Sequence, residues 1–320
     1  MRVAACGVCG SDLPRVFSKG TYRFPLIPGH ELAGTVEAVG AEVDSSWVGR
    51  RVAVFPLIPC RRCAACESGA YAQCADYDYL GSRRDGGFAE FTCMPAWNLL
   101  PVPDGLPLHE AAMLEPAAVA LHALRRARLD AGDSVLIMGA GPIGLLLAMW
   151  ARVFGAGKIL IADINIERLR FARTLKFDHL HDAGSGDTAA WARRKTAERG
   201  ADVVIEATGA SAALEQCVLA ACAFGRVVLL GNPAGAMTLS QAAYWAVLRR
   251  ELRMIGSWNS SYSELPRNEW RLALECMADG RIEVGPLVTH QVPLENLRGR
   301  IEMLRYRKGF ACKVMCVPRG

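Results

Sequence analysis

Hydrophobic positions change their rhythm along this chain. Five short, nearly continuous apolar runs stand in its second half, at 134–138, 158–162, 201–205, 226–230 and 252–255. Between them, Pro142 to Phe154 and the stretch from about Glu167 carry apolar residues at helical spacing. Unbroken apolar strands alternating with helices predict a parallel sheet covered on both faces, hence an α/β, doubly wound domain. The first hundred residues read differently. Short runs at 34–39, 51–55 and 88–92 lie between Gly and Pro residues, which predicts a partly open β-barrel. From Ala111 to Leu129 the period turns helical. After Gly256 the chain is irregular, then helical from about Pro266 to Ala278, then β-like to its end, where it is expected to rejoin the first domain. The domains expected are therefore 1–120, 121–255 and a returning segment 256–320. There is no internal repeat and no low-complexity segment.

Composition narrows the class. Of 320 residues, 52% are apolar, enough for sizeable cores, and no run reaches the length that crosses a membrane. The net charge of +5 comes from scattered arginines rather than one block, which argues against a nucleic-acid partner. Met1–Cys6 has no apolar signal-peptide core, and twelve cysteines suit a reducing compartment. The expectation is a soluble, cytoplasmic protein with a small-molecule partner and no membrane or nucleic-acid role.

Four of those cysteines, Cys60, Cys63, Cys66 and Cys74, are spaced C-x2-C-x2-C-x7-C. Thiolates so arranged close a tetrahedron around Zn²⁺ with no open position, the design of a structural site. An iron–sulfur cluster or two disulfides are the rival readings of the same spacing.

A second pattern carries nucleotide chemistry. Gly139-Ala-Gly141-Pro142-Ile143-Gly144 follows the run 134–138 and opens the helical stretch, and Asp163 ends the next strand. Gly139 permits the tight turn, Gly141 lets a pyrophosphate approach the backbone, and Gly144 lets helix pack on strand. The helix N-terminus then faces the phosphates. This is the fingerprint of a Rossmann domain. Asp163 would accept from the adenosine ribose hydroxyls and repel a 2′-phosphate, so NAD is expected over NADP, with Arg168 placed to soften that choice.

Cys9, His30, Glu31 and Glu115 form a mixed thiolate, imidazole and carboxylate set suited to Zn²⁺. Any one of them alone is more often a packing residue. Three protein ligands with an open position make a Lewis acid able to acidify an alcohol. The set gains weight beside a dinucleotide site and a closed zinc lobe.

The motifs G-V-C-G-S-D, G-H-E-L-A-G-T-V, the four-cysteine lobe, D-G-G-F-A-E-F, L-E-P and G-A-G-P-I-G run in this order over almost the whole chain. In this the chain resembles the zinc-dependent medium-chain dehydrogenases. Glu115 resembles the polyol branch, and the segments at 9–17, 56–60, 77–91 and 255–259 resemble its polyol-phosphate members. The resemblance implies a GroES-like barrel as catalytic domain and two zinc ions per chain, one catalytic and one structural. It implies that Cys9, His30 and Glu115 surround the catalytic zinc, with Glu31 a direct or alternate ligand, the two glutamates not being assigned separately. Ser11 would pass the substrate proton on, and Asp12 would orient His30. A sugar alcohol phosphate would be the substrate, with Arg15, Arg83 and Arg84 as the arginines able to grip its phosphate. A homodimer or tetramer is implied, joined along the edge of the nucleotide domain, with 231–239 as the seam. Two departures stand out. The family carries further strands before G-V-C-G-S-D, so the chain is expected to be N-terminally shortened. Cys312 occupies a place where Gly is usual before Lys313. Rival functions are oxidation of an unphosphorylated polyol or of another secondary alcohol such as threonine, and zinc and nucleotide binding without catalysis.

Overall fold

Strand 134–138 is buried along its whole length, as a run of apolar residues with no polar alternation must be. In the computed structural model, which describes residues 1–233 and 235–318, it lies inside a six-stranded sheet. The chain divides into two units, residues 1–118 with the segment from Ser261 on, and Val119–Ser260. Among the described residues no helix is long and apolar enough to cross a membrane.

The Val119–Ser260 unit holds a sheet in the order Arg253–Gly256, Ala221–Leu229, Ala201–Glu206, Ser134–Met138, Lys158–Asp163, His179–Asp182. All its pairs are parallel. Chain order reverses between Ser134–Met138 and Ala201–Glu206, the switch point at which such sheets bind nucleotides. Leu136, Leu160, Val204 and Val227 are fully buried in its core. Strand His179–Asp182 was not anticipated. It is half-buried, polar and on the sheet edge, so it never needed an apolar run.

The other unit has a six-stranded sheet in the order Val288–Val292, Lys313–Cys316, Arg2–Gly7, Glu31–Thr35, Arg51–Val54, Leu99–Pro101. Only its first pair is parallel. Val3, Leu32, Val54, Leu80, Val314 and Cys316 fill its core. Several expectations shift here. The strand expected at 34–39 occupies Glu31–Thr35, where it pairs on both sides. The run 88–92 is not a strand. It makes one bridge, Arg2 to Phe91, flanked by hydrogen bonds of Val3 to Glu90 and of Thr92 to Met1. The helical stretch 111–129 is two helices, Leu108–Ala111 and Leu114–Ala127. Pro116 is tolerated only in the first turn of the second, which fixes where it starts. The helix expected from Pro266 begins at Glu269, behind Asn268, whose side chain accepts from Trp270 and Arg271. The expected β-like tail contains a further helix, Leu297–Arg305, buried through Leu297 and Ile301.

This unit positions the metal-binding candidates. Cys9 lies in the turn after Arg2–Gly7, His30 and Glu31 at the start of the second strand, Glu115 in the first turn of Leu114–Ala127, and Lys313 at the head of the last strand.

Candidate metal and cofactor sites

Cys9, His30 and Glu31 offer ligand atoms that all lie within 4.8 Å of one another. Glu115 stands outside that tight group. Asp12 is fully buried beside Cys9 and His30. One carboxylate oxygen accepts the Cys9 backbone N–H at 3.0 Å, and the other faces His30 Nδ1 at 3.5 Å. That nitrogen is buried and makes no hydrogen bond among the described residues. Burial pushes the His30 imidazole down, but Asp12 and Cys9 outweigh it and hold it well above the usual histidine range. A thiol, an imidazole and a carboxylate converging this closely fit one borderline-soft cation such as Zn²⁺.

The two glutamates are held differently. Lys313 Nζ, 3% exposed in its side chain, donates to both Glu31 oxygens at 2.8 and 2.6 Å and to Val8 O at 3.1 Å. Glu115 accepts from the Tyr79 hydroxyl at 3.3 Å, and the Tyr79 ring meets His30 edge-on at 5.7 Å. Burial raises the Glu115 carboxyl from its ordinary 4.5 to about 7, with His30 opposing. A raised carboxyl has a consequence for the metal-free protein. Folded Glu115 keeps a proton up to about pH 7, which the unfolded chain releases near 4.5. The folded state holds more protons across that window, so rising pH destabilises it, by on the order of 3 kcal/mol in total. Denaturant titrations of the metal-free protein should show this fall, and Glu115→Gln should flatten it.

Of the arginines proposed for phosphate, none is free of protein partners. Arg83 lies over the rings of Tyr22 and Tyr77, each at 4.4 Å, and donates to Tyr77 O at 3.2 Å. Arg84 pairs with Asp78 at 3.1 Å, while Asp85 pairs with Arg23 at 3.2 Å. Arg15 donates to Ser11 Oγ at 3.2 Å and to Asp12 Oδ1 at 3.1 Å.

The four-cysteine lobe closes on a point. Cys60 and Cys66 sulfurs are 4.0 Å apart, Cys63 and Cys74 sulfurs 3.9 Å, and all four lie within 4.8 Å of one another. Zinc–sulfur bonds of about 2.3 Å give a tetrahedron with edges of about 3.8 Å. An iron–sulfur cluster places several atoms between its thiolates and spreads them wider. All twelve cysteines are unpaired, so the disulfide reading falls. Backbone N–H groups of Ala75 and Cys66 draw the Cys63 thiol down to about 6, ready to ligate as thiolate.

At the switch point, Gly139 takes φ +108°, open to glycine. A Cβ on Gly144 would overlap the Gly139 carbonyl oxygen, so this glycine sets how closely the helix Pro142–Val153 approaches the loop. Pro142 fills the first helical position and Ile143 follows it. Among the described residues beyond its chain neighbours, the Arg168 guanidinium, 4.0 Å away, is all that comes near a Cβ built on Gly141. Asp163 accepts from Ala140 N at 2.7 Å and from Asn165 N at 2.8 Å, with Arg168 at 3.5 Å. Glu206, which the motifs do not single out, ends strand Ala201–Glu206 and accepts from Thr208 N at 2.7 Å and Gly209 N at 2.9 Å. The signal was present as Glu206-Ala-Thr-Gly209 beside the switch point. Gly144→Ala should weaken NADH binding about tenfold or more, as overpacking against backbone costs roughly 1–3 kcal/mol, with metal content unchanged. Fluorescence titration with NADH checks this.

Known proteins resemble this chain over almost its whole length. Residues 1–104 match the alcohol dehydrogenase GroES-like domain, and 142–279 the zinc-binding dehydrogenase domain. The chain is 34% identical over 320 residues to galactitol 1-phosphate 5-dehydrogenase of Escherichia coli K12, covering 99% of this chain and 92% of that protein. It is 33% identical over 324 residues to sorbitol dehydrogenase of Bacillus subtilis 168, covering 99% and 89%. The crystal structure of galactitol-1-phosphate dehydrogenase from Escherichia coli superposes with a TM-score of 0.93 at 33% identity, covering 99% of this chain and 91% of that one. With both family domains matched along one chain and this similarity over nearly its full length, the chain belongs to the zinc-binding, GroES-like family of alcohol and polyol dehydrogenases.

Proposed function

We propose that this protein oxidises a secondary alcohol of a sugar alcohol phosphate with NAD, converting galactitol 1-phosphate to tagatose 6-phosphate. The observation that carries the dehydrogenase reading is the convergence of Cys9, His30 and Glu31 within 4.8 Å, and the phosphate ester is suggested by the similarity to galactitol 1-phosphate 5-dehydrogenase. Cys9 and His30, with Glu31 or Glu115, would hold the catalytic zinc. His30 Nδ1 is turned to Asp12, which leaves Nε2 for the metal. Bound zinc supplies the Lewis acidity that lowers an alcohol's pKa, and NAD supplies the hydride acceptor. Ser11 accepts the substrate's proton and passes it to solvent. Asp12 orients His30. Asp163 receives the ribose hydroxyls, and its charge disfavours a 2′-phosphate.

A specific observation favours a second reading, an unphosphorylated polyol. Arg15, Arg83 and Arg84 all have protein partners, so a phosphate would have to share or displace them. The name of the Bacillus subtilis relative fits that reading. NADH formation by zinc-loaded protein on galactitol 1-phosphate, galactitol, sorbitol and threonine separates the two. Turnover of the phosphate ester alone supports the first, and turnover of a free polyol alone supports the second. Turnover of none favours a zinc- and nucleotide-binding protein without catalysis.

Self-association suits the exposed Tyr244, Trp245 and Leu248 of helix Gln241–Arg249 and the edge strand Arg253–Gly256. The expected seam, 231–239, includes Ala234, which lies outside the described residues. Light scattering would give a dimer or tetramer. Twelve unpaired cysteines suit a cytoplasmic setting.

A further inference from the structure

Arg15 is the arginine nearest the metal-binding candidates in sequence, and its contacts assign it different work from phosphate binding. It sits three residues after Asp12 and four after Ser11, the two spacings that share a helix face. Its Nη1 donates to Ser11 Oγ at 3.2 Å and to Asp12 Oδ1 at 3.1 Å. Its side chain is 24% exposed, whereas that of Asp12 is 0% exposed. The same Asp12 carboxylate accepts the Cys9 N–H at 3.0 Å and faces His30 at 3.5 Å. One guanidinium nitrogen thus ties the hydroxyl of Ser11 to the carboxylate that steadies two metal-ligand candidates.

The donor chemistry sharpens the point. A guanidinium only donates. Ser11 Oγ therefore accepts from Arg15, and its own O–H must point elsewhere. One lone pair is engaged, one remains for a substrate hydroxyl, and the proton is free to move onward. A neutral, non-donating residue at position 15 would leave that hydroxyl free to rotate, and a lysine, with one donor head in place of the planar fork, would hold it less firmly. A buried Asp12 without its cation would also be less firmly held between Cys9 and His30.

We propose that Arg15 is a positioning residue, which fixes the Ser11 hydroxyl and the Asp12 carboxylate, and not the anchor of a substrate phosphate. This rests on the dehydrogenase reading above for its kinetic arm, but not for its spectroscopic one. The test uses Arg15→Met and Arg15→Lys in the full chain, with cobalt replacing zinc, followed by metal titration and the visible absorption of the thiolate–imidazole site. In parallel, kcat and KM are measured on a phosphorylated and an unphosphorylated polyol. Arg15→Met is expected to weaken metal binding at the Cys9 and His30 site about 10- to 100-fold and to shift the cobalt bands, as loss of a metal site's supporting partner does. It should lower kcat about equally on every substrate turned over, with KM nearly unmoved, and Arg15→Lys should restore part of both. The proposal is overturned if KM rises for the phosphate ester alone while the cobalt spectrum is unchanged, which makes Arg15 a phosphate ligand. It is overturned equally if neither readout moves. Should no polyol be turned over, the functional reading fails and the cobalt spectrum and affinity decide Arg15 by themselves.

Discussion

Replacing His30 by alanine should lower the zinc bound per chain by one and, on the proposed function, lower turnover by about a thousandfold or more. The size follows from what the metal would contribute, several kcal/mol of charge stabilisation at tenfold per 1.36 kcal/mol. His30 is buried at 3% exposure, and the thiolate and carboxylate that would share its metal cannot close a shell without it. The loss should be selective. The four-cysteine lobe shares no ligand with His30, so its zinc stays. NADH binding should also persist, because Gly139, Gly144 and Asp163 belong to the other unit. Elemental analysis, NADH titration and NADH formation on the same preparation check all three. Retention of both zinc ions, or turnover within tenfold of the parent, would remove His30 from the metal site.

How far such a site can be read from sequence depends on where each residue's partners lie. The parallel sheet was legible because strands buried on both faces carry unbroken apolar runs, as residues 135–138 and 203–205 do. The polar edge strand His179–Asp182 leaves no such trace. Phe88–Thr92 alternates like a strand, yet its backbone serves Met1 and Val3 through a single bridge, a pairing that only the fold decides. Gly144 was legible because its reason is local, five residues from the carbonyl it must clear. Cys9, His30 and Glu31 drew notice through donor chemistry. Lys313, which grips Glu31, is 282 residues away, and no spacing rule reaches that far. The same limit governs the arginines. The resemblance offered Arg83 and Arg84 for a phosphate, and no spacing rule announces that in space Arg83 lies over Tyr22 and Tyr77 and Arg84 pairs with Asp78. Lobe cysteines suffer least, because their partners lie within fifteen residues of one chain segment.

That locality makes the lobe's dependence on metal steep. Residues 60–74 contain only the four-residue helix Ala64–Glu67 and the three-residue turn Tyr71–Gln73, too little to hold themselves together. What would order the segment is the ion, since the binding energy of a closed zinc site is largely folding energy. The lobe is also tied to the core of its unit. Arg61 lies over the Trp97 ring at 4.3 Å, and Tyr71 meets that ring edge-on at 5.2 Å. Trp97 in turn packs with Phe55 and Tyr262, and Phe55 with fully buried Trp270. Cys63→Ala should therefore cost one zinc per chain and on the order of 5 kcal/mol in its unit, seen as a drop of about 10 °C or more in Tm. Trp97 should report it, its emission moving to longer wavelength as Arg61 and Tyr71 leave the ring; Trp97→Phe in the same background isolates that signal. Cys63→Ala should keep the metal bound by Cys9 and His30, the converse of the His30 variant. If Cys63→Ala instead retains its zinc and its Tm, the lobe is held by packing alone, and the four thiols are not a metal site.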